Sequence, residues 1–408
     1  MKPHIFSFDT ETLKATLKDG GIPAFRAGQI LQWVYEKGVL DPENMTNIGK
    51  KDAEKLRSMI NFDELTVVQE QLARDGTVKW LFKLHDGHDI EAVFIPESTR
   101  GTLCVSSQVG CTLNCRFCHT GTQGLSRNLM ASEIVAQMWM ANKRLGTWTD
   151  EPFDLHTHLT RNDMTDSYLM PKKKRDTTNA EQRRVISNMV FMGMGEPLFN
   201  WENVKKANDR LMAEDGFGLG TRRITISTSG MVPNIGEIGK DLGVNLAVSI
   251  HAPDNETRTR IMPVNKKWPI EELMAAIRAF PLKEKRRITW EYVMLKDVND
   301  SEQHAKELVK LIKGIPSFIN IIPFNEWPGS PFKCSEKAQI EKFKNVIAKA
   351  GVDTQIRRSR GDDILAACGQ LRGETSKFNS ISTEFPTVVM QYGNERQKES
   401  LKVNIEHS

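Results

Sequence analysis

Long apolar runs are absent from this 408-residue chain. No stretch reaches the roughly eighteen apolar residues that a helix needs to cross a bilayer, and the opening residues MKPHIFSFDTETLK contain no apolar segment of a secretory signal. Cysteine is also scarce, since the chain has six, and this argues against a secreted scaffold held by disulfides. We therefore expect a cytoplasmic protein that makes no contact with a membrane.

Neither sign of charge dominates the chain. It has 56 Lys and Arg against 52 Asp and Glu, which gives a formal net charge of +4 and a sequence pI of about 8.6. This mild excess permits an anionic partner such as RNA without requiring one. The length suffices for one large domain with smaller attachments, and a monomer is the default expectation.

The few cysteines are unevenly distributed. Cys111, Cys115 and Cys118 fall within eight residues, in the spacing C-x3-C-x2-C. Three thiolates this close together can surround one soft metal centre. A structural zinc site and a fully ligated iron–sulfur cluster each take four protein ligands, whereas three ligands on a four-iron cluster leave one iron open. The spacing therefore favours an iron–sulfur cluster with a free coordination site.

Two other interpretations of this segment remain open. His119 could complete a four-ligand zinc site, although such sites usually pair two close groups of ligands and the chain has no second group. Cys115 to His119 also fits the C-x-x-C-H attachment site of a c-type haem. Haem proteins of that kind are exported, and this N-terminus has no export signal. Zinc is the stronger of the two alternatives.

The hydrophobic pattern divides the chain into four segments. Residues 1–63 predict an N-terminal helical accessory domain, and residues 64–96 predict a β-meander connector with turns at Asp75-Gly76 and Asp86-Gly87. Residues 97–363 form the core, into which residues 150–184 insert a flexible basic segment. Residues 364–408 form a C-terminal segment whose tail has a weak pattern and is expected to be partly disordered.

Strands and helices alternate in the core, which predicts an α/β fold with a parallel sheet, curved into a partial (βα)6 TIM-like barrel. The predicted strands are Leu103–Ser106, Asn188–Met192, Arg223–Thr228, Val244–Ile250, Ile288–Met294 and Phe318–Ile322. The predicted helices are Ser132–Arg144, Trp201–Ala213, Ile270–Phe280, Gln303–Lys313 and Glu336–Ala350. Barrel active sites lie at the carboxyl ends of strands. The cysteine loop and the segments after the later strands should therefore meet at one mouth.

Several motifs together resemble one known family. The stretches TLCVSSQVGCTLNCRFCHTGTQG, FMGMGEPLFN, STSG, SIHAP and RGDDILAACGQL are similar to the radical S-adenosylmethionine superfamily. Within it they resemble the RlmN family of adenine-C2 methyltransferases of ribosomal and transfer RNA. The similarity runs from about residue 10 to about residue 373 and is interrupted only by the insertion. This combination of motifs is specific, and it implies the radical S-adenosylmethionine barrel as the fold.

The resemblance implies a [4Fe-4S] cluster on Cys111, Cys115 and Cys118. It also implies S-adenosylmethionine at the open iron, with two molecules used per turnover. The residues that match its contacts to this cosubstrate are Gly195, Glu196, Ser227, Ser249, Ile250, His251 and Asn325. Judged without the family, Gly195 could be only a turn glycine, and Ser227 only a hydrogen-bonded strand end.

Three further residues complete the implied chemistry. Cys368 would accept a methyl group from a first cosubstrate molecule, and Cys104 would release the product as a Cys104–Cys368 disulfide forms. Glu91 would remove the proton from C2. Without the resemblance, Cys104 would be a small buried residue and Glu91 would face water from an alternating strand. Cys334 matches no motif.

The implied partners are 23S ribosomal RNA, transfer RNA and a reducing electron donor such as flavodoxin. Several arginines could bind RNA phosphates, namely Arg127, Arg222, Arg223, Arg357, Arg358 and Arg360. Two other functions stay open at this point. One is a Cfr-type methyltransferase that acts at adenine C8, and the other is a non-catalytic, zinc-binding RNA module.

Overall fold

The computed structural model describes residues 2–97, 100–149 and 185–373. The predicted insertion at 150–184 and the C-terminal tail beyond residue 373 lie outside the described residues. No helix in the described ranges is both long and apolar enough to cross a bilayer.

Three amphipathic helices lie at the N-terminus, as the helical period predicts. They are α1 (Thr10–Asp19), α2 (Arg26–Tyr35) and α3 (Lys50–Met59). The start of α1 is fixed by a capping box, in which the Asp9 carboxylate accepts from the Thr12 amide and the Thr12 hydroxyl accepts from the Asp9 amide. Apolar side chains three or four residues apart on each helix are buried, so the three helices share one core.

The predicted meander is present and forms one edge of a larger sheet. Its antiparallel strands are β1 (Thr66–Leu72), β2 (Val78–Lys83) and β3 (Asp89–Pro96). Both predicted turns contain a glycine with positive φ, which is 83° at Gly76 and 86° at Gly87. β3 also pairs antiparallel with β4 (Gly101–Cys104), so the connector joins the core sheet directly.

The core contains a run of parallel strands. After β4 and a two-stranded hairpin of β5 (Gln108–Gly110) and β6 (Leu125–Asn128), the strands are β7 (Asn188–Phe191), β8 (Ile224–Thr228), β9 (Asn245–Ser249), β10 (Ile288–Met294), β11 (Ser317–Pro323) and β12 (Asp353–Ile356). The order in the sheet is β1-β2-β3-β4-β7-β8-β9-β10-β11-β12, and every neighbouring pair from β4 onward is parallel. The predicted α/β fold and partial barrel are confirmed.

The helices of the core alternate with these strands along the sequence. They are α4 (Ala131–Arg144), α5 (Trp201–Met212), α6 (Asn255–Ile261), α7 (Ile270–Arg278), α8 (Glu302–Leu311) and α9 (Lys337–Lys349). All six predicted strands and all five predicted helices are found within two residues of their expected bounds. Shorter helical turns occupy Ile5–Ser7, Pro42–Asn44, Thr120–Gln123, Pro197–Asn200, Thr221–Arg223, Val232–Asn234, Ile235–Glu237, Ile238–Leu242, Pro263–Lys266 and Asp362–Ile364.

Candidate functional site

The cysteine loop connects the two strands of the β5–β6 hairpin at the carboxyl end of the sheet. Gly110 begins the loop with φ of 77°, and a Cβ there would lie 1.8 Å from the carbonyl oxygen of Gly124. Only glycine fits this approach. The Cys111 amide donates to the same carbonyl at 2.9 Å, and the Cys118 amide donates to the Cys115 carbonyl at 3.0 Å. The loop therefore has a fixed backbone shape.

All three thiols of this loop share one buried environment. Burial raises the pKa of Cys111 to about 12 and raises the pKa values of Cys115 and Cys118, while the neighbouring thiols raise the pKa of Cys115 further. Thiols in such surroundings stay protonated until a soft metal displaces the proton. In the described ranges, no three His, Cys, Asp or Glu side chains surround a single point. A four-iron cluster makes a different demand, because each thiolate binds its own iron.

A buried arginine, which the sequence analysis did not single out, lies next to this loop. Arg258 on α6 has no exposed surface, and its guanidinium donates to the carbonyls of Ser229 at 2.6 Å and Ile250 at 3.1 Å. Its positive charge lowers the pKa of Cys115 against the effect of burial. Arg258 therefore supplies a fixed cation that favours a thiolate at Cys115.

The segment after β7 contains the predicted Gly195-Glu196 pair. Gly195 has φ of 96°, and a Cβ there would lie 2.5 Å from the Cβ of Gln108. The Glu196 side chain is 2% exposed and accepts from the amides of Ser229 at 2.7 Å and Leu198 at 3.2 Å. Burial raises the pKa of Glu196 to about 7 despite these bonds. A buried carboxylate of this kind suits a cationic ligand such as an amine.

The predicted contacts on the next strands lie at the same end of the sheet. Ser227 is the next-to-last residue of β8, with 9% exposure, and Ser249 ends β9 and is followed by the buried Ile250. His251 is buried with φ of 54°, and its ring meets Phe117 of the cysteine loop edge to face at 4.8 Å. Its Nδ1 accepts from the Val293 amide at 3.0 Å. Burial lowers the pKa of His251 to about 3, so its imidazole is neutral.

One cleft brings together cysteines that are distant in the sequence. Cys104 at the end of β4, Cys118 of the cysteine loop and Cys368 line one cleft, together with Asn325 and Arg357. Cys104 and Cys368 are both free thiols. Burial, and next the Cys368 thiol, raise the pKa of Cys104 to about 12, while Arg357 acts in the opposite direction. We call this space the two-cysteine cleft.

Glu91 and Cys104 lie on the same face of neighbouring strands. Val93 of β3 is directly opposite Cys104 of β4, and Glu91 is two residues from Val93 on the same side of the strand. Glu91 is 4% exposed, so it does not face water. Its Oε1 lies 3.1 Å from the Nζ of Lys79, and its Oε2 accepts from the Arg372 amide at 2.7 Å.

The segment that carries Cys368, residues 365–373, crosses the mouth of the site, and we call it the C-terminal strap. Its carbonyls accept from three groups of the cysteine loop: the His119 amide to Gly369 at 2.7 Å, the Thr120 hydroxyl to Leu371 at 2.6 Å and the Gln123 amide group to Gly373 at 2.6 Å. Asn325, a predicted cosubstrate contact, donates to the Cys368 carbonyl at 3.3 Å. The strap therefore connects the cysteine loop with the two-cysteine cleft.

Trp327, in the loop after β11, joins the same two regions. Its ring is stacked on the His119 ring with centroids 4.7 Å apart, and its indole N–H donates to the Phe117 carbonyl at 2.9 Å. His119 is thus engaged with aromatic and strap partners, and its Nε2 lies 3.2 Å from the Arg372 guanidinium. These contacts differ from those of a fourth ligand for zinc.

Several residues of the site were missed by the sequence analysis. Lys79 had a visible signal, because it is a charged residue inside the apolar strand VKWLFK. Arg258, Trp327 and Arg372 had none, because their positions depend on contacts between distant segments. Of the arginines considered for RNA, Arg357, Arg358 and Arg360 line the two-cysteine cleft, whereas Arg127 is paired with Glu133 at 2.8 Å.

Comparisons with known proteins agree with this geometry. Residues 4–62 match the model of the ribosomal RNA large subunit methyltransferase N-terminal domain, and residues 165–309 match that of the radical SAM superfamily. A protein of Rhodopseudomonas palustris, named dual-specificity RNA methyltransferase RlmN, is 48% identical over 391 residues, which cover 93% of this chain and 92% of the relative.

Two further matches cover similar lengths. A Parvibaculum lavamentivorans protein of the same name is 48% identical over 387 residues, covering 92% of this chain and 90% of the relative. The crystal structure of a radical SAM methyltransferase from Sphaerobacter thermophilus superposes with a TM-score of 0.79 at 37% identity. The superposition covers 91% of this chain and 99% of that one.

Proposed function

Because the chain belongs to the RlmN family and is a radical S-adenosylmethionine methyltransferase, we propose that it methylates C2 of a specific adenine in 23S ribosomal RNA and in transfer RNA. The family implies S-adenosylmethionine and a [4Fe-4S] cluster as the cosubstrate and cofactor. Two relatives are named dual-specificity RNA methyltransferases, which supports RNA as the substrate. The adenine position and the route to it are proposed from the residues of the site.

The observation that carries this proposal is the shared wall of the two-cysteine cleft. Carbon C2 of adenine lies between two ring nitrogens and is too electron-poor to attack a sulfonium methyl group as an amine does. A carbon carrier on the protein is therefore needed, together with a second group that releases the product from the carrier. Cys368, Cys104 and Cys118 line one cleft, and this supports the roles of carrier, releasing thiol and cluster ligand that we propose for them.

The first part of the proposed sequence is a polar methyl transfer. The Cys368 thiolate attacks the methyl group of a first S-adenosylmethionine, so that a sulfur–carbon bond forms on Cys368 and S-adenosylhomocysteine leaves. Arg357 lies on the same cleft wall as Cys368. A second S-adenosylmethionine is then used, which makes two per turnover.

The cluster residues and the strand-end residues hold the cosubstrate in this proposal. Cys111, Cys115 and Cys118 would hold a [4Fe-4S] cluster, which when bound supplies one electron and an open iron. Glu196 would bind the cosubstrate ammonium, since its buried carboxylate accepts from the amides of Leu198 and Ser229 and no cation pairs with it among the ion pairs of the described residues. Its neighbours would complete that pocket, namely Gly195, Ser227, Ser249, Ile250, His251 and Asn325.

The second part of the sequence joins carbon to the base and frees the product. The methyl group on Cys368 gives a hydrogen atom to the 5′-deoxyadenosyl radical that forms from the second S-adenosylmethionine, and the resulting methylene radical bonds to C2 of the adenine, so that the RNA is held covalently. Glu91 then removes the C2 proton, and the Cys104 thiolate attacks the Cys368 sulfur. The carbon–sulfur bond breaks as the Cys104–Cys368 disulfide forms, the surplus electron would return to the bound cluster, the methylene carbon takes up a proton, and methylated RNA leaves.

Analysis of nucleosides tests the proposal directly. RNA from cells with and without the gene should differ in 2-methyladenosine, measured by mass spectrometry in separated ribosomal and transfer RNA. Cys334→Ala is the matched control, because Cys334 lies outside the two-cysteine cleft, and it should keep the product. Finding only 8-methyladenosine would assign the Cfr-type reaction instead. Finding no methylated adenine and one bound zinc would assign the non-catalytic RNA module.

We propose further partners for this reaction. An electron donor such as flavodoxin would reduce the cluster, and a thiol reductant would reopen the disulfide between turnovers. The monomeric state and the cytoplasmic location predicted from the sequence stay predictions. So does the division of the chain into four segments.

A further inference from the structure

A buried ion pair stands behind the two-cysteine cleft. Lys79 of β2 is 8% exposed and Glu91 of β3 is 4% exposed, and the Nζ of Lys79 lies 3.1 Å from Oε1 of Glu91. The two residues are diagonal neighbours, because Leu81 is the residue directly opposite Glu91. The ammonium also donates to the Leu365 carbonyl of the C-terminal strap at 3.3 Å.

Burying this ion pair in an otherwise apolar strand costs free energy of folding. Val78, Trp80 and Phe82, the neighbours of Lys79 in β2, are fully buried, and moving two charges out of water opposes folding unless the pair is well satisfied. A pair of apolar side chains could fill the same space without that cost. A role in the chemistry of the nearby cleft would explain why the two charges are kept.

The sheet register directs both side chains to the reacting face. Glu91 shares its face with Val93 and Cys104, and Val93 and Cys104 line the two-cysteine cleft. The charged groups near Glu91 include Lys79 on β2 and Arg372 on the strap, with the His119 ring behind Arg372. Lys79 meets the carboxylate with its ammonium, whereas Arg372 meets it through its backbone amide and directs its guanidinium to His119.

We propose that Lys79 is the positioning residue that keeps Glu91 ionised and oriented as the proton acceptor for adenine C2. This role rests on the proposed function. In the step concerned, the C2–H bond breaks, its electron pair stays in the ring, and the proton moves to a carboxylate oxygen of Glu91. An ammonium has no lone pair, so Lys79 does not take the proton. It stabilises the charged carboxylate before the transfer, and its contact with Leu365 couples that carboxylate to the strap.

The consequence is a pH dependence that belongs to Lys79. A nearby positive charge favours the carboxylate over the neutral acid, whereas burial alone favours the acid. Without Lys79, Glu91 would hold its proton to a higher pH and could not accept another. The acidic limb of the rate profile for proton removal should therefore move to higher pH when the ammonium is removed.

The test compares Lys79→Met and Lys79→Arg in reconstituted full-length protein. Single-turnover formation of 2-methyladenosine is measured from pH 5.5 to 9 on an RNA substrate. We expect Lys79→Met to move the acidic limb upward by about one pH unit, so that the loss of rate approaches tenfold below the midpoint of the limb and disappears well above it. Lys79→Arg keeps the charge and should restore most of the parent profile. Lys83→Met, on the same strand beside Asp89 at 3.8 Å, is the matched control and should follow the parent.

A double variant separates a role through Glu91 from a general structural role. In the Glu91→Gln background, Lys79→Met should cause no additional loss of rate, because the group on which it acts is gone. This double variant also has no unpaired buried charge, so it tests the role even if Lys79→Met alone folds poorly. A uniform loss at every pH, or additive losses in the double variant, would overturn the positioning role.

The two proposals fail in different ways. If the parent makes no 2-methyladenosine, or if Glu91→Gln turns over like the parent, the proposed function or the base is wrong. If the parent is active, Glu91→Gln is strongly slowed but measurable, and the Lys79→Met profile matches the parent, then only the role of Lys79 is wrong.

Discussion

The cysteine loop and the two-cysteine cleft are built in opposite ways. The three cysteines of the loop lie within eight residues, and their arrangement follows from one hairpin and one close glycine contact. Cys104, Cys368 and Glu91 come from a strand end, the strap and a meander strand, and only the sheet register and the strap bring them together. Local spacing thus specifies the first region, whereas the whole fold specifies the second.

This difference predicts that substitutions in the two regions have different effects on cofactor binding and on the later steps of the reaction. A substitution in the loop should remove the cofactor and leave the rest of the fold intact. A substitution in the cleft should leave the cofactor and change what happens after it has acted. The four predictions below test that separation, from the largest expected effect to the smallest.

Replacing Cys111, Cys115 and Cys118 together by Ala should remove all bound iron and sulfide and abolish cosubstrate cleavage, because no thiolate remains to bind the cluster. Iron and sulfide analysis after anaerobic reconstitution measures the first effect, and 5′-deoxyadenosine formation the second. The melting temperature of the cluster-free protein should stay within about 4 °C of the cluster-free parent. Retention of iron by the variant would show that other residues hold the cluster.

Cys104→Ala and Cys368→Ala should fail at different steps while both retain iron. Cys104→Ala should accumulate RNA joined to Cys368, because the releasing thiolate is missing, and should complete less than one turnover. Cys368→Ala should form no such adduct, since the carbon carrier is missing. Gel mobility and mass spectrometry of the purified proteins detect the adduct. Free product from Cys104→Ala at the parent rate would contradict its releasing role.

Glu196→Gln should weaken cosubstrate binding by roughly tenfold or more, because a charge-assisted hydrogen bond is lost. It should also change the pH dependence of stability. The pKa of Glu196 is raised to about 7 in the folded protein, so the folded state binds more protons than the unfolded state between about pH 4.5 and 7. The contribution of this group to stability is therefore lost as pH rises through that window, and the Gln variant lacks the loss.

The measurement for Glu196 is urea unfolding of the cluster-free protein at pH 5 and pH 8. Between these two values, Glu196→Gln should gain about 3 kcal/mol relative to the parent. Any hydrogen bond from the Ser229 and Leu198 amides that the Gln side chain fails to replace costs the same stability at both pH values, so this loss cancels in the comparison. A difference that does not change with pH would mean that Glu196 is ionised throughout.

Trp327→Phe should loosen the contact between the two regions without breaking either. It removes the indole bond to the Phe117 carbonyl and keeps an aromatic ring for His119, so a loss of about 1 kcal/mol is expected. Hydrogen exchange of the strap amides, at residues 366–372, should accelerate by about fivefold, while exchange in β8 to β11 stays unchanged. Equal acceleration throughout the sheet would show that Trp327 stabilises the fold as a whole.

The fold was largely predictable from the sequence, apart from β12 and the β5–β6 hairpin. The buried strands β7 to β11 have apolar runs with clear ends, and each was placed within two residues. β12 was missed because Asp353, Thr354 and Gln355 alternate between exposed and half-buried positions and resemble a loop. The β5–β6 hairpin was missed for a related reason, since its strands are three and four residues long.

The residues of the site were named by motif, but their contacts were not predictable. Spacing showed that Cys111, Cys115 and Cys118 belong together, and nothing in the pattern around Cys104 showed that Cys368 faces it. Burial of Glu91 against Lys79 ran against the expectation from alternation alone, because the C-terminal strap covers a face that an isolated meander would leave to water. Long-range register and the path of the strap carry that information.

The position of the strap near the C-terminus also affects the order in which the protein is synthesised and folded. A ribosome adds residues 365–373 after every strand of the sheet, so the core can fold while the strap is still being synthesised. Cys368 and the strap hydrogen bonds to the cysteine loop therefore arrive after the sheet is complete. If Cys368 accepts the methyl group as we propose, a chain that terminates before the strap would contain the core sheet but no methyl acceptor, and it could not modify RNA.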